Sequence, residues 1–273
     1  MKKNLLLLFA LTIGSCLQAQ DIILSDNLST LTVGDIGTDL TGTTPGQGGY
    51  TTYVAANGAN SDFQIVDEGG THGNAIQITG SATAADARLM SKDVSAGWGL
   101  RTAGNDFAEL DYEFYTGNAT TSENTMSIIL LDAGGTKILA GLRITLNTLL
   151  VQGWANYNNA GTINNYVFDL GAGGTAVNLA PNTWYKLGVS FNFATGQFIF
   201  REANGLFDVG AIGAAAGVNV AQLYFVASPS ATNAVAGVGV FDNINLKASS
   251  TDTLLGVAKN VIASDKFSVY PNP

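Results

Sequence analysis

An all-β fold, an antiparallel sandwich of two facing sheets, is what this sequence predicts, and three features point to it. Short runs in which apolar and polar residues alternate recur across residues 21–249, the two-residue period of a strand with one buried face. Clusters of Gly, Asn, Thr and Ser separate these runs at close intervals, as turns would. No segment sustains a 3.6-residue apolar period over a usual helix length, so there is no sign of helices crossing between parallel strands.

Taken in order, DIILS opens at Asp21, and residues 33–49 are rich in Gly, Thr and Asp and read as loop. TTYVA, FQIV, AIQIT and ARLMSKDV follow, then FAELDYEFY from Phe107, MSIILLD from Met126 and ILAGLRI from Ile138. TLLVQGW and NYVFDL lead to the most strongly patterned stretch, WYKLGVSFNFATGQFIFR at 184–201. There Tyr185, Leu187, Val189, Phe191 and Phe193 occupy one face, and Phe198 and Phe200 resume it after Ala194-Thr195-Gly196. Glycine tolerates the positive φ that a tight turn demands, so this is a β-hairpin with an apolar inner face that needs a second sheet to cover it. VAQLYFVA and VAGVGVFDNINL complete the set.

Of the 273 residues 46% are hydrophobic, enough to fill one β domain, and only 12% are charged against about 25% in an ordinary domain. The formal charge is −9, and the basic residues after Lys2-Lys3 are scattered singly, which argues against nucleic-acid binding. Residues 1–20 have the form of a secretory signal: Lys2-Lys3, an apolar run at 5–13, then small and polar residues. Cleavage near Ala19 or Gln20 would remove the lone cysteine, Cys16; the alternative is lipid attachment at Cys16. Either route gives a secreted or outer-membrane cell-surface protein. No later stretch is long and apolar enough for a transmembrane helix.

WYKLGVSFNFATGQFIF and the closing VGVFDNINL resemble strands of concanavalin-A-like and laminin-G-like jelly rolls, and ILSDNLSTLTVGDI is similar to the first strand of such modules. The resemblance covers roughly residues 21–248 and implies a jelly-roll domain at 21–249 whose closing strand lies beside the first. Residues 250–265 lose the alternation and read as a linker, with a short helix possible at 254–262. The final KFSVYPNP, at 266–273, resembles the opening of the C-terminal sorting domain of type IX secretion cargo. It implies a truncated start of that domain, and the type IX machinery as a partner.

Four groups of residues could carry function. Glu109, Asp111 and Glu113 alternate with Leu110, Tyr112 and Phe114, so a strand sets the three carboxylates on one face. This string is similar to the catalytic strand of laminarinase-type glycoside hydrolases, which implies Glu109 as nucleophile, Asp111 as helper and Glu113 as acid/base. The plainer reading is a wet face paired with scattered Lys and Arg. Asp26 and Asp242 lie on the strands that the jelly-roll resemblance joins, and such modules often hold a structural calcium there; hard carboxylate oxygens suit that ion. Trp154, Asn156, Tyr157, Asn158 and Asn159 alternate rings and amides in a presumed loop, the chemistry of a sugar site, which Tyr166 and Trp98 could extend. His72, the sole histidine, has no nucleophile-elbow pattern beside it and reads as a solvated loop residue; Trp184 reads as packed beneath a loop.

These readings lead to an exported, non-catalytic surface or adhesin-type module whose expected ligand is a glycan or surface polysaccharide. The alternatives are a glycoside hydrolase acting through Glu109, Asp111 and Glu113, and a structural spacer without a ligand.

Overall fold

The computed structural model describes residues 20–84, 86–256 and 269–271; residues 1–19, with Cys16, lie outside them, as do 257–268. The strands in chain order are β1 (Asp21–Asp26), β2 (Gly34–Asp35), β3 (Thr51–Val54), β4 (Phe63–Gly69), β5 (Gly73–Gly80) and β6 (Arg88–Asp93). Next come β7 (Phe107–Tyr115), β8 (Asn124–Leu131), β9 (Ile138–Thr145), β10 (Leu150–Asn159), β11 (Thr162–Asp169) and β12 (Val177–Asn178). The last are β13 (Trp184–Asn192), β14 (Gln197–Glu202), β15 (Asp208–Ile212), β16 (Gln222–Pro229), β17 (Gly237–Ser249) and β18 (Val269–Pro271). All pairings are antiparallel.

They form two nine-stranded sheets, the antiparallel sandwich that the alternation predicts. The first sheet runs β15-β14-β13-β7-β17-β5-β4-β2, with β1 also on β17; the second runs β18-β11-β10-β9-β8-β16-β6-β3, with β12 on β10. The closing strand β17 does lie beside the first strand. Its long edge is shared: Gly237–Phe241 pair with β5, while Ile244–Ala248 pair with β1. A bulge between Asp242 and Asn245 marks the changeover, with Asn243 at φ 49°, a conformation that Asn tolerates better than most side chains.

The facing sides of the sheets interdigitate in one core. From the first sheet come Leu110, Tyr112 and Phe114 of β7, Leu187, Val189 and Phe191 of β13, and Phe198 and Phe200 of β14, all fully buried. Met126, Ile128, Leu142, Val151, Phe168 and Phe225 meet them from the second. Gly153 of β10 lets the sheets approach, because a Cβ there would overlap the Phe200 ring, lying 2.8 Å from its Cζ.

Four local assignments differ from expectation. Residues 95–99 form a short helix that buries Trp98, with its Nε1 donating to Asn219 Oδ1 at 3.1 Å and the Arg101 guanidinium 4.0 Å from its ring centre; it extends no sugar site. Trp154 to Asn159 are strand, not loop: Asn is a poor strand former, but the alternation of Trp154 and Asn156 outward with Ala155 and Tyr157 inward suits a sheet packed on one side. Residues 250–256, assigned above to a linker, pack onto the outer face of the first sheet. Leu254 is fully buried there over Gly188, where a Cβ would come within 2.8 Å of Leu254 Cδ1. Arg201, itself buried, holds the segment through Asp252 Oδ2 at 3.0 Å and the Leu254 carbonyl at 2.8 Å. Val269–Pro271, read as part of a separate sorting domain, pair with β11 at the edge of the second sheet. No helix among the described residues is long and apolar enough to cross a membrane.

Candidate functional site

The carboxylate strand keeps the predicted facing: Leu110, Tyr112 and Phe114 enter the core, and Glu109, Asp111 and Glu113 share the outer face of the first sheet. Register then gives each acid its own partners. Lys247 stands opposite Glu109, and its Nζ lies 3.2 Å from Glu109 Oε2. The same carboxylate accepts from the Thr253 hydroxyl at 2.8 Å and from the Thr253 N–H, so the folded-back segment covers it completely. Asp111 Oδ1 sits 3.3 Å from Lys186 Nζ. Glu113 Oε2 accepts from Asn243 Nδ2 at 2.7 Å and lies 3.2 Å from His72 Nδ1. The pairing with Lys agrees with the plainer reading; the enclosure of Glu109 was not expected of a wet face.

His72 departs further from expectation. The turn between β4 and β5 lays its imidazole flat on Trp184, with ring centres 3.8 Å apart and planes 7° from parallel. Trp184 therefore does pack beneath a loop. His72 Nδ1 is also 3.1 Å from Asp242 Oδ2, so His72, Glu113 and Asp242 offer one nitrogen and two carboxylate oxygens within 4.8 Å of one another. That donor set could hold a divalent ion. It is also satisfied without one, since Asn243 donates to both carboxylates. Burial raises the Asp242 carboxyl above its ordinary pKa, against the pull of the Asn243 N–H and His72.

The expected calcium pair does not come together. Asp26 stands opposite Ile244, whose side chain is in the core, and Asp26 Oδ2 accepts from the Tyr50 hydroxyl at 3.1 Å and lies 3.6 Å from Lys92 Nζ. Asp242 stands opposite Glu113 on the outer face. The β17 bulge thus turns Asp242 and Asp26 to opposite sides of the sheet, although their strands are neighbours.

The presumed sugar loop is divided in the same way. Tyr157 turns inward, edge-on to Phe168 at 5.6 Å and Tyr166 at 6.3 Å between centres. Asn156 is buried and donates to Asn165 Oδ1 at 3.1 Å, and Asn158 Oδ1 accepts the Gly161 N–H in the turn to β11. Asn158 and Asn159 are exposed where the strand turns, away from Trp154, which is the member of this group that borders a groove. Trp154 is half-buried on the outer face of the second sheet, at one end of this groove of about 600 Å³.

Sheet pairing builds that groove row by row. Asp169, Gln152, Arg143, Ser127 and Val226 stand in register across β11, β10, β9, β8 and β16. Trp154 belongs to the next row, beside Gly141 and Ile129, and packs, like Tyr224 and Val226, against the cluster of Ile129, Leu131 and Ile138. On the other side come Thr145, Thr125 and Ser228, and residues 229–231 close the end. The Arg143 guanidinium lies 5.7 Å from the Trp154 ring centre. Its Nε is enclosed and has no hydrogen-bond partner, and burial pulls its pKa down from the ordinary value. Glu123, at the far end, has its pKa lowered by hydrogen bonds from the Ser230 and Thr232 hydroxyls. Arg143 was missed above, although a single arginine inside the apolar run ILAGLRI, flanked in strand phase by inward Leu142 and Ile144, is a visible signal.

No family model matches the chain, and no curated protein matches it. Among solved structures it is similar to a sialidase (TM-score 0.48, 10% identity, covering 85% of this chain and 19% of that one). Others are the binding domain of botulinum neurotoxin DC in complex with SialylT (0.49, 9%, 85% and 49%) and the cellulose-induced protein Cip1 (0.49, 14%, 84% and 97%). The chain thus spans less than half the length of the first two. The sandwich assignment stands on the strand pairing itself.

Proposed function

We propose that this chain is an exported, non-catalytic surface module that binds a saccharide in the groove on the outer face of its second sheet. One observation carries the reading: a half-buried tryptophan, Trp154, borders a groove walled by the hydroxyls of Thr125, Ser127, Thr145 and Ser228 and by an arginine whose Nε has no hydrogen-bond partner. A ring face accepts the apolar C–H side of a sugar while the surrounding hydroxyls and guanidinium exchange hydrogen bonds with its oxygens. Export rests on the leader-like residues 1–20, and the similarity of KFSVYPNP to a sorting-domain opening supports the type IX route. A calcium shared by Asp26 and Asp242 forms no part of the proposal.

Against hydrolysis through the carboxylate strand, Glu109 has both oxygens engaged and no exposed surface, which leaves no room for a sugar at the proposed nucleophile. The spacer alternative fits the inward Tyr157 but leaves the Trp154 groove without a role. The test is titration calorimetry against a panel of soluble polysaccharides. Wild type should bind at least one, and Trp154→Ala should weaken that binding about tenfold, the order expected from losing one aromatic platform and its buried area. Equal affinity in the variant, or reducing-sugar release from laminarin that Glu109→Gln abolishes, would overturn the proposal.

A further inference from the structure

Charge within the groove is unbalanced in a way that narrows the ligand. Arg143 sits in the middle of a nine-stranded sheet, its stem half-buried and its Nε enclosed, yet no ion pair or hydrogen bond joins it to any described residue. The acids that could have paired with it are engaged elsewhere. Asp169, in the same row, receives the Gln152 amide at 2.8 Å, so Gln152 stands between the two charges. Glu123 is tied to Ser230 and Thr232. A guanidinium with part of its hydration removed and no carboxylate supplied is a cost to the folded protein. An anion brought by a ligand would relieve it.

We infer that the groove selects an acidic saccharide, with Arg143 holding the sugar's anionic group while Trp154 carries its ring. This rests on the saccharide reading above and goes beyond it in naming the class. The guanidinium presents a planar fork of donors that matches a carboxylate or sulfate ester bidentately. Trp154, diagonal to Arg143 across β9 and β10, is placed for a ring bonded directly to that group. The formal charge of −9 does not oppose this at contact range. Charges more than about 8 Å away are largely screened at physiological ionic strength, whereas a half-buried arginine is not.

Titration calorimetry at physiological salt would compare polygalacturonate with its methyl-esterified form, dextran sulfate with dextran, and neutral laminarin. Wild type should favour at least one acidic polymer over its neutral counterpart. Arg143→Gln should lower that affinity about tenfold to a hundredfold, the value of a charge-assisted hydrogen-bond pair, and Arg143→Lys should restore part of it. Preference for polygalacturonate assigns a carboxylate, and preference for dextran sulfate a sulfate ester. The melting temperature of Arg143→Gln should equal or exceed that of wild type, because the free protein loses an uncompensated charge; a structural arginine would lower it. Equal binding of neutral and acidic polymers, unchanged in Arg143→Gln, would overturn this inference and leave the saccharide reading standing. Absence of binding to every polymer would overturn both.

Discussion

Replacing Phe200 with alanine would empty a fully buried site where the sheets meet, between the rings of Phe168, at 6.1 Å, and Phe198, at 5.2 Å. The expected cost is about 3–5 kcal/mol, the usual range for deleting a buried aromatic. For a domain of this size that corresponds to a melting temperature lower by roughly 10 °C, at about 2–4 °C per kcal/mol. Gly153→Ala attacks the same contact from the other sheet: its new Cβ would fall within the Phe200 ring's own volume. Overpacking of this kind should cost about 1–3 kcal/mol by itself. In the double variant the ring is gone, so the added methyl should cost nothing further or restore part of the loss. Urea denaturation of the four proteins completes a double-mutant cycle, with an expected coupling of about 1–3 kcal/mol. Losses that simply add would refute the face-to-face contact of Gly153 with Phe200, and with it the inward assignment of the 184–201 hairpin.

Two other measurements bear on charge. The Asp86 carboxyl is held below its ordinary pKa chiefly by its bond to Arg88 NH1, at 2.6 Å, in a buried pair. A carboxyl depressed in the folded state contributes stability above its unfolded pKa of 3.8 and loses it as pH falls through the lower folded value. Asp86→Asn should therefore be less stable than wild type at neutral pH and lose less on acidification, as read from denaturation midpoints between pH 7 and pH 2; parallel curves would contradict the pairing. Chelation should leave the wild-type melting temperature unchanged, because Asp26 and Asp242 face apart and the His72, Glu113 and Asp242 group is already hydrogen-bonded internally. A drop that His72→Ala abolishes would locate an ion at that group, and one that Asp26→Ala abolishes would restore the calcium pair.

The sandwich was legible because alternation is local: Leu110, Tyr112 and Phe114, like Leu187, Val189 and Phe191, declare their inward face without knowledge of any partner strand. For the same reason the outward facing of Glu109, Asp111 and Glu113 could be read directly. What escaped was set by contacts distant in sequence or by breaks in phase. Leu254, next to Leu255 in a tail that has lost the alternation, declares no packing face until Arg201, far earlier in the chain, draws Asp252 onto the sheet. Asp26 and Asp242 were placed correctly on neighbouring strands, but the bulge at Asn243 reverses the facing of one of them, and no period-two pattern encodes a bulge. Trp154 and Tyr157 were grouped by chemistry, yet an odd spacing on a strand sends them to opposite faces. Arg143 stands out in the sequence as a lone charge in the run ILAGLRI, but the lack of a partner for its Nε, which gives it significance, is not displayed there.

The central claim, that a saccharide sits against Trp154 on the second sheet, is tested most directly by the indole N–H resonances of a ¹⁵N-labelled sample titrated with a polysaccharide that binds. The protein has three tryptophans: Trp98 is buried beside the short helix, Trp184 lies under His72 on the first sheet, and Trp154 borders the groove. The Trp154 signal, assigned by its loss in Trp154→Phe, should shift with saturation while the other two stay in place. A saturating shift of the Trp184 signal with Trp154 unmoved would contradict the account and transfer the binding face to the first sheet, beside the carboxylates.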